Sequence, residues 1–142
     1  MLHLIAEKLI ENNIPYFHFD GDTAVEDRQK MVAAFQEDDS TERVFLMSLK
    51  TGNAGINLTA ADYVFLVDPW WNTAIQQQAI DRTHRIGQTK NVFAYKMICK
   101  NTIEEKIIEI QKRKQFTSDA LISEEENFVK NLTQEDITYL FE

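Results

Sequence analysis

The stretch QQQAIDRTHRIGQT, Gln76 to Thr89, holds the residues best suited to chemistry. Gln78, Arg82 and Arg85 stand at i, i+4 and i+7, the spacing of one helical face. Two guanidinium groups one turn apart repel, so they need an anion between them or carboxylates beside them. Asp81 would serve one of them, and a triphosphate would serve both. Arginine suits phosphoryl transfer because its charge is fixed and its planar fork matches phosphate oxygens. Charge developing on a transferring γ-phosphate makes such a residue worth roughly 10³–10⁵ in rate. Spacing alone leaves a plainer reading open, a solvated helix face on which Asp81 pairs with Arg82 or Arg85. His84 lies beside the arginines, but His3 and His18 are distant and no Cys–His cluster exists. A structural use is expected for it, and no metal site.

A second stretch, SLKTGNAGINLTAAD, follows an apolar run directly. Gly52 and Gly55 permit tight turns and close backbone approach. Ser48, Lys50, Thr51, Asn53 and Asn57 offer donors, so the loop is able to hold phosphate oxygens or a nucleic-acid backbone. It lacks the order of a Walker A loop, and an ordinary connection is an equal alternative from this stretch alone. In DPWWNT, Asp68 ends a strand and Pro69 fixes the exit of the chain. Adjacent tryptophans do not easily share one environment, so one is expected inside and one outside. An exposed Trp71 is able to stack on a sugar or base, and a core or interface role is the alternative.

The elements that must position these residues alternate. Leu2, Ile5, Leu9 and Ile10 have helical spacing, and Asn12 and Asn13 stop that helix. Residues 14–19 read as a strand, a turn follows at Gly21, and Thr23 with Glu26 forms a candidate capping box. The helix behind it should turn Val25, Val32 and Phe35 inward and end near Gln36. Further strands are expected over 43–49, 63–68 and 91–98, with a helix over 74–85 that stops at Gly87. Such alternation points to a mostly parallel sheet in an α/β domain. Thr102 with Glu105, Ser123 with Glu126, and Thr133 with Asp136 are candidate caps of a helical tail. Within it, Ile137, Leu140 and Phe141 are expected to dock. An α/β domain usually opens on a strand, and this chain opens on a helix, so a preceding strand and partner domain are expected upstream.

The 142 residues suffice for one domain with a core, and no apolar run is long enough to span a bilayer. No signal peptide is legible. Cys99 is the one cysteine, which allows no internal disulfide and fits a reducing compartment. The net charge of -8 argues against a non-specific nucleic-acid coat. The charge is uneven, however: residues 41–100 hold seven basic and four acidic side chains, and residues 101–142 hold five and ten. A polyanion would be met in the middle third.

The blocks DGDTAVEDRQKMVAAFQ, FLMSLKTGNAGINLTAADYVFLVDPWWNTAIQQQAIDRTHRIGQTKNVFAYKMI and TIEEKI together resemble the second RecA-like lobe of the Swi/Snf class of ATP-dependent DNA translocases. The resemblance is strong over residues 14–110. It implies an α/β, RecA-like three-layer domain of the P-loop NTPase type over residues 1–100. A C-terminal helical extension over 101–142 would pack on it. In that family ATP binds between two lobes, and the first carries Walker A, Walker B and most of the hold on ATP and Mg2+. LKTGNAGINL looks like motif V and QAIDRTHRIGQ like motif VI. By resemblance Gln78, Arg82 and Arg85 face the γ-phosphate from the open end of the sheet, with Arg85 the principal finger. Gly52, Gly55, Asn57 and Asp81 would line the nucleotide side. Lys50, Thr51, Asn53, Trp71, Gly21 and Arg28 would meet double-stranded DNA. Many relatives have a glycine where Asn53 stands and a proline where Thr73 stands. Thr73 would then cap the arginine helix.

The implied protein is a DNA-dependent ATPase that moves along duplex DNA without separating its strands. This chain alone would supply half the site and no turnover, and would carry no cofactor. The alternative is a non-catalytic RecA-like module that binds nucleotide, or a protein partner through its acidic tail. The protein is expected in the cytoplasm of a bacterium or the nucleus of a eukaryote, neither secreted nor in a membrane.

Overall fold

Each apolar run expected as a strand or helix in the first half of the chain is one in the computed structural model. The structure describes residues 1–49, 51, 55–67, 69, 73–117 and 132–141. The element order is α1 (Leu2–Glu11), β1 (Tyr16–Phe19), α2 (Val25–Phe35), β2 (Val44–Met47), β3 (Tyr63–Val67), α3 (Thr73–Ile80), β4 (Phe93–Met97), α4 (Ile103–Thr117) and α5 (Gln134–Phe141). The fold is mixed α/β with parallel strand pairing and C-terminal helices, as a RecA-like lobe requires. Two compact units divide the chain: Met1–Val64 with Gln78–Ala94, and Phe65–Gln77 with Tyr95–Glu142.

In the first unit, Asn13 ends α1 in the left-handed region at φ 55. Its N–H donates to Ile10 O at 3.0 Å, and the N–H of Ile14 reaches back to Leu9 O at 2.9 Å. Those two bonds satisfy carbonyls that the helix end leaves orphaned. β1 and β2 pair in parallel, with Tyr16 opposite Val44 and Phe19 opposite Met47. Phe35 of α2 packs edge-on against Phe17 and Phe45, with centroids 6.4 and 5.2 Å away. Buried Phe19, Phe35, Leu46, Leu58 and Ala6 make the interior of this unit.

Two local expectations fail here. Thr23 does not cap α2: the N-cap is Ala24 with no side-chain cap bond. The Thr23 hydroxyl instead accepts from the N–H of Asp20, and Asp20 Oδ1 accepts from the N–H groups of Asp22 and Thr23. The aspartate thus closes its own turn, a local alternative that competes with capping. Val25, expected inside, is 69% exposed because it is the first residue of the helix, ahead of the turn that meets the sheet.

In the second unit, Ile107, Ile110 and Leu140 form a core, with Leu132 and Tyr139 packed on it. Thr133 and Asp136 make the expected reciprocal capping box of α5: Thr133 N–H donates to Asp136 Oδ2 at 2.9 Å, and Asp136 N–H to Thr133 Oγ1 at 3.2 Å. Thr102 caps α4 through the N–H of Glu104 at 3.3 Å. Leu140 docks as expected, but Ile137 and Phe141 are 47% and 81% exposed, because α5 offers one narrow face to α4. Several acidic groups of this tail are engaged locally. Glu104 accepts from Cys99 N–H, Glu105 from Asn101 N–H, and Glu109 from the Tyr139 hydroxyl. That last bond, with burial behind it, holds the Tyr139 phenol above its ordinary pKa. The candidate cap Ser123–Glu126 lies outside the described residues.

β3 pairs with β4. Phe93 N–H donates to Asp62 O at 2.8 Å. Tyr63 stacks on Phe93 and Phe65 on Tyr95, so the pairing advances in the same direction along both strands. Among the described residues, strands pair as β1–β2 and β3–β4, two pairs in place of one four-stranded ladder. No helix of the described residues is long and apolar enough to cross a membrane.

Candidate functional site

The arginine segment does not continue the helix on which its spacing was read. α3 opens at Thr73, which is thus inside the helix instead of capping it, and closes at Ile80. Arg82 and Arg85 lie in the turns behind it, so they do not share a helical face with exposed Gln78. The bonds explain the stop. Thr83 N–H, His84 N–H and the Thr83 hydroxyl all donate to Ile80 O, at 3.0, 3.2 and 2.7 Å. The carbonyl of Arg82 is taken by Leu58 N–H at 2.9 Å, so it is committed to another chain segment. Gly87 then turns the chain at φ 104, where a side chain would be strained.

The two arginines part company. Arg85 is exposed, and its Nη1 donates to Gly55 O at 3.3 Å. Arg82 is 4% exposed, against the expectation that both guanidinium groups face outward. Its burial is not that of a satisfied core arginine: neither Nε nor Nη1 has a hydrogen-bond partner. Burial and the nearby Arg85 charge both lower its pKa from the ordinary guanidinium value. The group stays charged at any working pH. A buried donor without a partner costs about 1–3 kcal/mol, and more when charged. The exposed fork of Arg85 thus stands in a positive field that the buried, unpaired guanidinium of Arg82 reinforces, and such an arrangement favours an anion.

Gly55 and Asn57 lie in the same unit as the arginines. Gly55 adopts φ 65, and open space surrounds the position of a Cβ there, so backbone conformation and not crowding calls for glycine. Asn57 is exposed, and its carbonyl accepts from Gln36 Nε2 at 3.3 Å. Asp81 is exposed. Thr51 is bound locally, its hydroxyl donating to Ser48 O at 3.0 Å. Lys50, Gly52, Asn53, Asp68 and Trp71 lie outside the described residues.

Gly21 and Arg28 are brought together as a separate group. Arg28 donates from Nε to Thr23 O at 2.8 Å and from Nη2 to Gly21 O at 3.0 Å. Its guanidinium lies 5.5 Å from the centroid of the Phe19 ring. Beside it, burial pushes the Asp20 carboxyl up. Hydrogen bonds from the Thr23 hydroxyl and from the N–H groups of Asp22 and Thr23, with the charge of His18, outweigh it and leave the pKa below the ordinary 3.8.

Gln36 and Gln88, which the spacing of residues did not single out, hold the loop between the glycines and β3. Gln36 receives Ala60 N–H at 2.7 Å and donates to Thr59 Oγ1 at 3.0 Å. Gln88 donates to the carbonyls of Thr59, Ala61 and Thr83, each at 3.0 Å. All but the Gln88–Thr83 bond join residues 23 to 29 positions apart, and no local pattern announces those. Among the described residues, no group of three His, Cys, Asp or Glu side chains is placed to hold a metal ion.

Known proteins share this chain's pattern. A family model described as the helicase conserved C-terminal domain matches residues 1–87. An uncharacterized ATP-dependent helicase of Mycoplasma pneumoniae is 46% identical over 132 residues, 93% of this chain and 13% of that protein. The DNA repair protein RAD5A of Arabidopsis thaliana is 42% identical over 140 residues, 99% of this chain and 13% of that protein. The crystal structure of the C-terminal part of the Fun30 ATPase domain matches with a TM-score of 0.74 at 33% identity, over 98% of this chain and 42% of that one. The chain thus spans 13% of the length of these two curated relatives.

Proposed function

The chain belongs to the helicase conserved C-terminal domain family and is homologous to the C-terminal lobe of Swi/Snf-family ATPases, and from that premise we propose that it is the second motor lobe of a DNA-dependent ATPase that translocates on duplex DNA. The observation that carries the reading is the exposed guanidinium of Arg85, with the buried, unpaired guanidinium of Arg82 adding like charge behind it. Two fixed like charges side by side, one of them exposed, match an anion delivered from another domain.

The first lobe of the same polypeptide would bring ATP and Mg2+, which would supply the phosphoryl group and positive charge to neutralise it. Arg85 reaches the γ-phosphate as that lobe closes. Arg82 stiffens the positive field behind it, and Gln78 orients the reacting oxygens. Gly55, Asn57 and Asp81 line the nucleotide side, with Gly52 from the same loop. Gly21, Arg28, Lys50, Thr51, Asn53 and Trp71 form the DNA-facing edge. The net positive charge of residues 41–100 supports a phosphate-rich partner there. A preorganised pair of guanidiniums needs no reorganisation at the moment of reaction, which is how it lowers the barrier.

The test is Arg85→Ala in the polypeptide that carries both lobes. DNA-stimulated ATP turnover should fall by roughly 10³-fold or more while DNA affinity stays put. In the same phosphate-release assay this lobe alone should give no turnover. Unchanged turnover in the two-lobe variant overturns the reading.

A further inference from the structure

Arg85 acts, on the reading above, in a segment that no helix supports. α3 ends at Ile80, and the guanidinium of Arg85 is tied to its own lobe by one long bond to Gly55 O. What fixes the segment is the side chain of Gln88. Its amide nitrogen lies 3.0 Å from each of three carbonyls: Thr59 and Ala61 in the loop, and Thr83 between the two arginines. Its oxygen receives Lys90 N–H at 2.9 Å, and its own N–H closes the turn onto Arg85 O at 2.9 Å. An amide has two N–H donors, so the three carbonyls share them. The loop is pinned from its other side by Gln36, through Thr59 Oγ1 and Ala60 N–H, and from within by Leu58 N–H on Arg82 O.

We propose that Gln88 is a positioning residue for the arginine pair, fixing the turn that carries Arg82 and Arg85 against the 59–61 loop. It touches neither nucleotide nor DNA and acts through Arg85. No other residue type makes this arrangement: it needs two N–H donors and an acceptor on one planar group, at the reach of a glutamine. A glutamate is the same shape but turns a carboxylate oxygen toward three carbonyls. A methionine fills the space and offers nothing to them.

This inference rests on the arginine-finger reading, and the experiment separates the two. Gln88→Glu and Gln88→Met are made in the two-lobe polypeptide beside Arg85→Ala, and kcat and KM for ATP are measured at saturating duplex DNA. Both Gln88 variants should lose on the order of 10- to 100-fold in kcat, since small misplacements of a group that acts in the transition state cost about that much. KM and DNA affinity should hold, because ground-state binding is untouched. Wild-type kcat in both variants, with Arg85→Ala impaired, overturns the inference and leaves the reading standing. Normal kcat in Arg85→Ala overturns the reading and the inference with it. A parallel fall in kcat, affinity for ATP and DNA, and melting temperature shows a merely structural glutamine and also overturns the inference.

Discussion

Arg28 and Arg82 belong to the same unit, and the chain treats their charges in opposite ways. Arg28 spends Nε and Nη2 on the carbonyls of Thr23 and Gly21 and lies over the ring of fully buried Phe19. Its positive charge is offset by backbone dipoles and the ring face. Arg82 is far more deeply buried than Arg28, yet two of its nitrogens bond nothing and Arg85 adds a like charge. Arg28 is therefore a brace that shapes the Asp20–Thr23 turn. Arg82 is a charge held in waiting. The difference teaches that burial by itself does not separate a structural arginine from a functional one. What separates them is whether the lobe satisfies the guanidinium's own donors.

The sharpest way to break that contrast is Arg82→Met. In the two-lobe polypeptide it should cost about 10³-fold in DNA-stimulated turnover, the lower end of what such a residue supplies. In a urea melt of this lobe the same change should leave stability unchanged or raise it, because an unsatisfied buried charge is replaced by an apolar chain of similar length. A large loss of stability would mean that Arg82 is paired within the lobe after all. Arg28→Ala should do the reverse. It should lower stability by about 1–2 kcal/mol, since two charged hydrogen bonds go but water partly replaces them, and, with duplex DNA at saturation, leave kcat alone. An unchanged urea midpoint would strip Arg28 of its bracing role.

The smallest expected effect is acid sensitivity at the Arg28 turn. The folded state holds Asp20 below the ordinary carboxylate pKa of 3.8. Its contribution is therefore complete above that value and is lost as pH falls through the lower folded value. Stability of Asp20→Asn should depend less steeply on pH in that acid window than wild type, as followed by circular dichroism. Identical slopes would show that the carboxylate charge plays no part in the turn.

Much of the secondary structure was legible because its signals are local. The end of α1 at Asn13 and the box of Thr133 with Asp136 depend on residues within five positions of one another, and both are found. The failures have a common cause in competition. Thr23 is matched to Glu26 by spacing, but Asp20 reaches Thr23 first. The helix expected over 74–85 has the right residues, but Leu58 N–H claims the Arg82 carbonyl that a longer helix would need. Val25, Ile137 and Phe141 are apolar and sit outside, since a helix of 8 or 11 residues buries one stripe and the stripe's direction is set by its neighbour.

Sequence by itself determined the family, through the order and spacing of DGDTAVEDRQ, GINLTAAD and DRTHRIGQ, and with it the α/β layout and the arginines to watch. Tertiary structure decided the state of those arginines: Arg82 buried with orphaned donors, Arg85 exposed against Gly55, and Gln88 binding loop and turn together. The reason is range. Periodicity and caps are written within a few residues, whereas the satisfaction of a buried charge depends on which carbonyls and carboxylates the fold brings beside it from elsewhere in the chain.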